Sequence, residues 1–134
     1  MTTPAISRPI DSSRRRSLQA DLIFWTAAGA VVAALSGPLS DSWGVPRAVL
    51  LDVGRAFAIL GPLMLLGVNR MRVTRGLVAG FVVTNLVLAP LAFVAAGLDW
   101  LGLTRAGTWA LADAGVIMLV LGVWQYTALR SLRR

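Results

Sequence analysis

Four residue types are missing from this chain, which contains no lysine, glutamate, histidine or cysteine. Without cysteine there is no disulfide and no thiolate chemistry. Without histidine and cysteine, the usual protein ligands of haem, zinc and iron–sulfur centres are also missing. The sequence therefore predicts no metal site and no cofactor. All thirteen basic residues are arginine and all six acidic residues are aspartate, so the use of charge is narrow.

Charged residues are scarce as well, at 14% of the 134 residues, whereas 57% are hydrophobic and the mean hydropathy is +0.73. A soluble domain has about a quarter of its residues charged. The apolar residues form four long runs, at residues 20–38, 47–69, 75–97 and 106–129. Each run is long enough to cross a bilayer as a helix. The sequence predicts an all-α fold, a transmembrane four-helix bundle running up-down-up-down over residues 18–130, after a disordered cytoplasmic tail, residues 1–17.

The arginines flank these runs unevenly. Ten lie in the N-terminal tail, in the link between runs two and three, and in the C-terminal tail: Arg8, Arg14, Arg15, Arg16, Arg70, Arg72, Arg75, Arg130, Arg133 and Arg134. Only Arg47 and Arg105 flank the other side. Cytoplasmic loops carry the excess of basic residues, so both termini are predicted to be cytoplasmic in a multi-pass cell-membrane protein. The pI of about 11.8 therefore reflects membrane topology, and no nucleic-acid partner is predicted.

Away from the ends of the predicted spans there are three charged side chains: Asp52 and Arg55 in the second span and Asp113 in the fourth. Each costs about 2.5–3.5 kcal/mol at a helix centre in hydrocarbon, so these side chains are expected to face protein, water or one another. Asn85, near the middle of the third span, is expected to bond to another helix. These four residues form a predicted polar cluster. It can be a salt-bridged anchor between helices, or a site facing an outward pocket.

A second predicted cluster lies by depth at the inner membrane surface and consists of Asp21, Gln125 and Tyr126. Interfacial solvation and a binding site both remain open for it. Asp52 and Asp113 are the candidate catalytic acids, because a carboxyl in an apolar pocket can take part in proton transfer. The sequence contains no glycine-rich phosphate loop, no metal-ligand cluster and no nucleophile triad.

The spacing of small residues predicts a face for close helix packing on the first span. Thr26, Gly29 and Ala33 share one face of the first span, which suits close helix approach in lipid. In the second span, the stripe with Asp52 and Arg55 is expected to face protein. The opposite stripe, expected to face lipid, contains Val53, Phe57, Leu60 and Met64.

An arginine in the second span, an asparagine in the third and a C-terminal Gln-Tyr-x-x-Leu-Arg motif occur together here. They are Arg55, Asn85 and the motif from Gln125 and Tyr126 to Leu129 and Arg130. In these features the chain resembles uncharacterised small four-helix bacterial integral membrane proteins. The resemblance covers the second to fourth spans and implies a bacterial plasma-membrane protein, but no activity.

Three functions fit the sequence. The first is a non-enzymatic structural, accessory or binding component that self-associates or docks on a larger membrane complex, with membrane lipids around it. The second is an oligomeric channel or small transporter whose path is lined by Arg55, Asp52 and Asp113. The third is a small membrane enzyme that uses Asp52 or Asp113 as an acid or base on a lipid or terpenoid. The lack of a catalytic constellation favours the first, although the sequence leaves enzymatic activity open.

Overall fold

The structure, a computed structural model, describes residues 9–130, which form five helices. They are α1 (Pro9–Ala34), α2 (Ser36–Trp43), α3 (Arg47–Arg70), α4 (Arg75–Gly97) and α5 (Arg105–Arg130). Within this described range, α1, α3, α4 and α5 are long and apolar enough to cross a membrane. The prediction of an all-α bundle with four candidate spans is confirmed. α3, α4 and α5 begin and end within one residue of the apolar runs at 47–69, 75–97 and 106–129.

α1 and α2 are separated by a break at Leu35, with φ −99° and ψ 17°. Pro38 is responsible, because its nitrogen carries no hydrogen to donate to the carbonyl of Ala34. α2 ends at Gly44, whose φ of 73° is left-handed and suits a residue without a Cβ. The first apolar run was predicted to end at residue 38, and the helical path continues from there to Trp43.

The start of α1 differs from the prediction of a disordered tail. Residues 9–17 lie in α1, whereas residues 1–8 are outside the described range. Ser17 and Leu18 are completely buried, with no exposed surface. Leu18 belongs to a core cluster with residues of α3 and α4, and α1 begins about three turns before the apolar run.

Hydrogen bonds fasten the start of α1 to the end of α3. The guanidinium of Arg15 donates to the carbonyl oxygens of Asn69, at 2.8 Å, and Met71, at 3.2 Å. Gln19 donates to the side-chain oxygen of Asn69 at 2.7 Å. The last carbonyls of a helix lack intrahelical partners and carry partial negative charge, so a cation stabilises them. These bonds also establish that α1 and α3 are antiparallel.

The helices pack in two antiparallel pairs, α1 with α3 and α4 with α5, and the pairs meet through α1 and α5. α1 also contacts α4, and one buried core cluster joins residues of α1, α3 and α4. Within the described range, the backbones of α3 and α4 do not approach each other, although a short link joins them. We call the end with the start of α1, the link 71–74 and the end of α5 the arginine-rich end. The opposite end, with α2 and the link 98–104, is the link end.

Small residues bring α1 and α3 into backbone contact. A Cβ on Gly54 would lie 2.6 Å from the nitrogen of Ala33 and 2.7 Å from the carbonyl oxygen of Gly29. A Cβ on Gly61 would collide with the side chain of Thr26. In lipid, where apolar surfaces gain little by leaving the solvent, such close packing is the main source of helix association. The predicted small face of the first span is confirmed as the surface that packs on α3.

Thr104 connects the two pairs at the link end. Its hydroxyl accepts from the N–H of Gly107 at 3.1 Å, capping α5, and donates to the carbonyl of Ser42. Its own N–H donates to the carbonyl of Trp43 at 3.1 Å. The end of α2 and the start of α5 are thereby held together by one residue, an arrangement that we call the Thr104 clamp.

Candidate functional site

Three buried polar side chains meet where α1, α4 and α5 come together. Asp21, Asn85 and Gln125 are 2%, 6% and 0% exposed, respectively. The Nδ2 of Asn85 donates to Asp21 Oδ2 at 2.8 Å and to Gln125 Oε1 at 3.2 Å. The Nε2 of Gln125 donates to the same Asp21 Oδ2 at 2.6 Å. We call this group the polar centre, and it joins one residue from each of three helices.

The polar centre combines residues that the sequence assigned to different depths. Asp21 and Gln125 were predicted to lie at the inner surface and Asn85 deeper. Asp21 lies twelve residues after Pro9, the first residue of α1, which is roughly 18 Å along the helix. The extension of α1 toward the N-terminus therefore moves Asp21 into the bundle interior. The expected interhelical bond of Asn85 is present.

Asp21 is not fully satisfied by these contacts. Its Oδ1 is buried and has no hydrogen-bond partner among the described residues. Two turns earlier on the same face of α1, Arg14 is 6% exposed, and its Nε and Nη2 are buried without partners in that same range. Sequence reasoning assigned Arg14 to the tail. The seven-residue spacing from Asp21 was the available signal that both lie on one helix face.

Tyr126, predicted to belong with Asp21 and Gln125, lies outside the polar centre. Its side chain is 43% exposed. The guanidinium carbon of Arg130 lies 5.5 Å from the centre of its ring, a cation–π contact within α5. Arg75 of α4 borders a cavity of about 270 Å³ with these two residues. Tyr126 is therefore part of the surface of the arginine-rich end.

Asp52 and Arg55 lie on the side of α3 that is turned away from α1. Both are exposed, and neither makes a hydrogen bond or ion pair within the described residues. The sequence placed this stripe against protein. In the structure the side of α3 that packs on α1 is instead the one with Gly54 and Gly61, because these small residues permit the close approach of α1.

Exposed residues cover most of α3, and one set of them, which includes Asp52 and Arg55, has a regular spacing. Six exposed residues follow one another at intervals of four, three, four, three and four: Ala48, Asp52, Arg55, Ile59, Pro62 and Leu66. This is the heptad spacing of a helix seam that faces another helix. We call these six residues the open face of α3.

Asp113 lies elsewhere, beside a cavity of about 470 Å³ between α1 and α5. α1 and α5 meet at the polar centre, and the Thr104 clamp joins the end of α2 to the start of α5. The residues of α5 that line the cavity, from Gly107 to Ile117, lie between these two contacts along the helix. Its lining is apolar and aromatic except for this carboxylate, and includes Phe24, Trp25, Trp43, Leu103, Leu111 and Asp113. Asp113 is exposed and makes no hydrogen bond or ion pair within residues 9–130. We call this cavity the Asp113 pocket.

The four residues of the predicted polar cluster therefore occupy three places. Asn85 belongs to the polar centre, Asp113 to its pocket, and Asp52 with Arg55 to the open face of α3. Neither candidate catalytic acid belongs to a group of three or more side chains that could hold a metal ion, as far as the described residues extend. The catalytic roles suggested for Asp52 and Asp113 remain predictions.

Comparison of the chain with family models, with curated proteins and with solved structures finds no match. The four long apolar helices indicate a small polytopic membrane protein. The positions of its polar residues are the features of this small polytopic membrane protein that bear on its function.

Proposed function

We propose that this chain is a non-enzymatic accessory component of the bacterial plasma membrane that self-associates through the open face of α3. In this proposal both termini are cytoplasmic, since the arginine-rich end carries most of the basic residues and basic segments stay on the cytoplasmic side. The observation that carries the proposal is the exposed and unpaired state of Asp52 and Arg55 on a membrane-spanning helix.

A second copy of the chain satisfies both charges at once. Two copies related by a two-fold axis along the membrane normal have parallel α3 helices at the same depth. Asp52 of one copy then differs in depth from Arg55 of the other by three residues, about 4.5 Å. The long arginine side chain spans that offset. Two reciprocal ion pairs form, and both charges leave the hydrocarbon, where they are costly.

The rest of the open face supports the same partner. Ala48, Ile59 and Leu66 continue the heptad spacing above and below the charges, so two copies of α3 can pack along their length. Among the described helices, the backbone of α3 approaches only those of α1 and α2. Leu65 and Val68 of α3, which belong to a core cluster with Val78 and Val82 of α4, lie outside the open face. A second copy therefore reaches the open face without displacing any described helix.

The alternative functions have less support. A channel lined jointly by Asp52, Arg55 and Asp113 is disfavoured because α1 lies between α3 and α5 in the bundle. The enzyme hypothesis for Asp113 is supported by the adjoining cavity, but the lining of that cavity contains no second side chain that could act as an acid or base. An enzyme using Asp52 has less support, because Asp52 is exposed and contacts no other acid or base through a hydrogen bond or ion pair within the described residues.

The proposal is tested by complementation between two charge-reversed chains carrying different affinity tags. Asp52→Arg makes the open face wholly positive, and Arg55→Asp makes it wholly negative. Each variant alone is expected to lose self-association, because like charges then meet across the two-fold axis. Coexpressed, the two are expected to purify together through the opposite tag. Pairing within one chain cannot produce this rescue, since each chain carries charges of only one sign.

The control pair is Asp41→Arg in α2 and Arg72→Asp in the link, which changes charge equally but away from the open face. These variants are expected to self-associate like the unmodified chain. Copurification of each charge-reversed variant with itself, at the unmodified level, contradicts the proposal. So does the failure of the unmodified chain to copurify with a differently tagged copy after extraction in mild detergent.

A further inference from the structure

The Asp113 pocket has the features of a binding site for a small molecule. Its volume of about 470 Å³ falls within the range of about 300–1,000 Å³ that ligand pockets occupy. It is assembled from several parts of the chain, namely α1, the end of α2, α3, the link 98–104 and α5. Ligand sites of this kind combine apolar walls with a small number of polar groups that fix orientation.

The walls of the pocket are held by contacts on either side. Toward the arginine-rich end, the polar centre joins α1 to α5 through Asp21 and Gln125. Toward the link end, the Thr104 clamp holds the end of α2, and a Cβ on Gly107 would collide with the carbonyl of Trp43. The Asp113 pocket lies between the polar centre and the Thr104 clamp, so its walls are held in place by contacts at both ends.

The charge in the pocket selects the class of ligand. Asp113 is the one ionisable side chain among the described lining residues, and within that range it has no cationic partner. A carboxylate beside hydrocarbon needs a counter-charge. Phe24, Trp25 and Trp43 add aromatic faces, which attract cations through their ring quadrupoles. Together these groups favour a positive charge carried on an apolar body.

We infer that the Asp113 pocket binds lipophilic cations, such as amphiphilic amines and quaternary ammonium or phosphonium compounds, with Asp113 as the counter-ion. A hydrated metal cation fits less well, since one carboxylate in an apolar wall cannot replace its hydration shell. The inference does not depend on self-association through α3, since Asp52 and Arg55 do not line this pocket.

Two probes of the same shape and opposite charge test the inference. Tetraphenylphosphonium and tetraphenylborate differ in the sign of their charge but fill similar space. Binding to the purified full chain in mild detergent is measured by isothermal titration calorimetry, with detergent alone subtracted. We expect the phosphonium to bind about tenfold or more tightly than the borate. The net charge of +7 on the chain favours the borate in any unspecific binding, so it works against the expected preference.

Asp113→Asn keeps the shape of the side chain and removes its charge. We expect this variant to bind the phosphonium about tenfold more weakly, and its preference over the borate to disappear. Asp99→Asn is the matched control, because Asp99 lies in the link outside the pocket and its φ of 51° is tolerated by asparagine. It is expected to keep the affinity of the unmodified chain. Ala110→Trp, which fills the pocket, is expected to weaken the binding of both probes.

Equal affinity of the unmodified chain for the two probes overturns the inference and leaves an apolar cavity that takes a lipid chain. Equal losses from Asp113→Asn and Asp99→Asn also overturn it, because the effect is then one of overall charge. Elution volume and circular dichroism establish that each variant is folded. The outcome is separate from the complementation test of α3, which reads copurification and changes no residue of the pocket.

Discussion

Asp21 and Asp52 are both aspartates within long apolar helices, and their surroundings differ in every respect. Asp21 is 2% exposed and accepts two amide hydrogen bonds from two other helices. Asp52 is exposed and has no partner within the described residues. A polar residue in a membrane helix can therefore find its hydrogen-bond partners within its own chain, or remain available to a partner outside the chain. Which of these applies depends on which side of the helix the small residues occupy.

The largest expected effect separates these two aspartates directly. Asp21→Ala leaves the Nε2 of Gln125, and one hydrogen of the Asn85 amide, without an acceptor in a buried site. We expect a loss of about 3 kcal/mol in the free energy of unfolding, since each unsatisfied buried group costs about 1–3 kcal/mol. Asp52→Ala is expected to leave the stability of the monomer close to that of the unmodified chain. Unfolding in mixed micelles, followed by tryptophan fluorescence, measures both.

A comparable loss from Asp52→Ala under monomeric conditions contradicts this contrast, because Asp52 is then packed inside the protomer. Asp21→Asn serves as the control for shape. It retains one acceptor oxygen for the amide donors, so it is expected to lose less stability than Asp21→Ala.

A smaller effect tests which side of α3 is buried, and hence where Asp52 points. Gly54→Ala adds a Cβ that meets the backbone of α1 at Ala33 and Gly29. Separating two packed helices in this way is expected to cost about 2 kcal/mol, within the range for overpacking. Gly67→Ala is the matched control in the same helix, because nothing lies within 4 Å of its added Cβ.

Thermal denaturation followed by circular dichroism measures both glycine variants. Gly67→Ala is expected to leave stability unchanged or raise it by up to about 1 kcal/mol, since alanine is the better helix former. If Gly54→Ala behaves like Gly67→Ala, α3 is rotated and the open face is not the exposed one.

The smallest expected effect concerns the extended start of α1, which brings Asp21 into the interior. Arg15→Ala removes two bonds to the last carbonyls of α3, and we expect a loss of about 0.5–1 kcal/mol. Arg16→Ala is the matched control, because Arg16 is exposed and has no hydrogen bond or ion pair within residues 9–130. Chemical denaturation compares the two. Equal effects indicate that overall charge, and not the contact with α3, sets the stability.

Length and hydropathy were sufficient to predict four spans, because a run of twenty apolar residues has few other stable conformations. The interhelical role of Asn85 also followed from its position along the helix. The beginning of α1 did not, since Arg14 and Ser17 are polar and are buried by contacts with other helices. Hydropathy cannot register a polar residue that is buried by its neighbours.

The side of α3 that packs on the other helices differs from the predicted one. Cost in hydrocarbon predicted that Asp52 and Arg55 face protein, whereas in the structure Gly54 and Gly61 form the side of α3 that packs on α1. These stripes lie on different sides of the helix, so both could not face α1. In the protomer the glycine side of α3 packs on α1, because residues without a Cβ allow the two backbones to come into contact. The sequence contained this conflict, and weighting the small residues more heavily would have resolved it.

The pairing of α1 with α3 has a consequence for biosynthesis. The close approach of Gly54 and Gly61 to Gly29, Thr26 and Ala33 involves only residues that precede α4 in the chain. A ribosome has therefore translated every residue of that contact before the third span leaves the exit tunnel. The first hairpin can assemble in the bilayer while the second is still being inserted. α4 and α5 then dock on its α1 side, which leaves the outer side of α3 exposed throughout insertion.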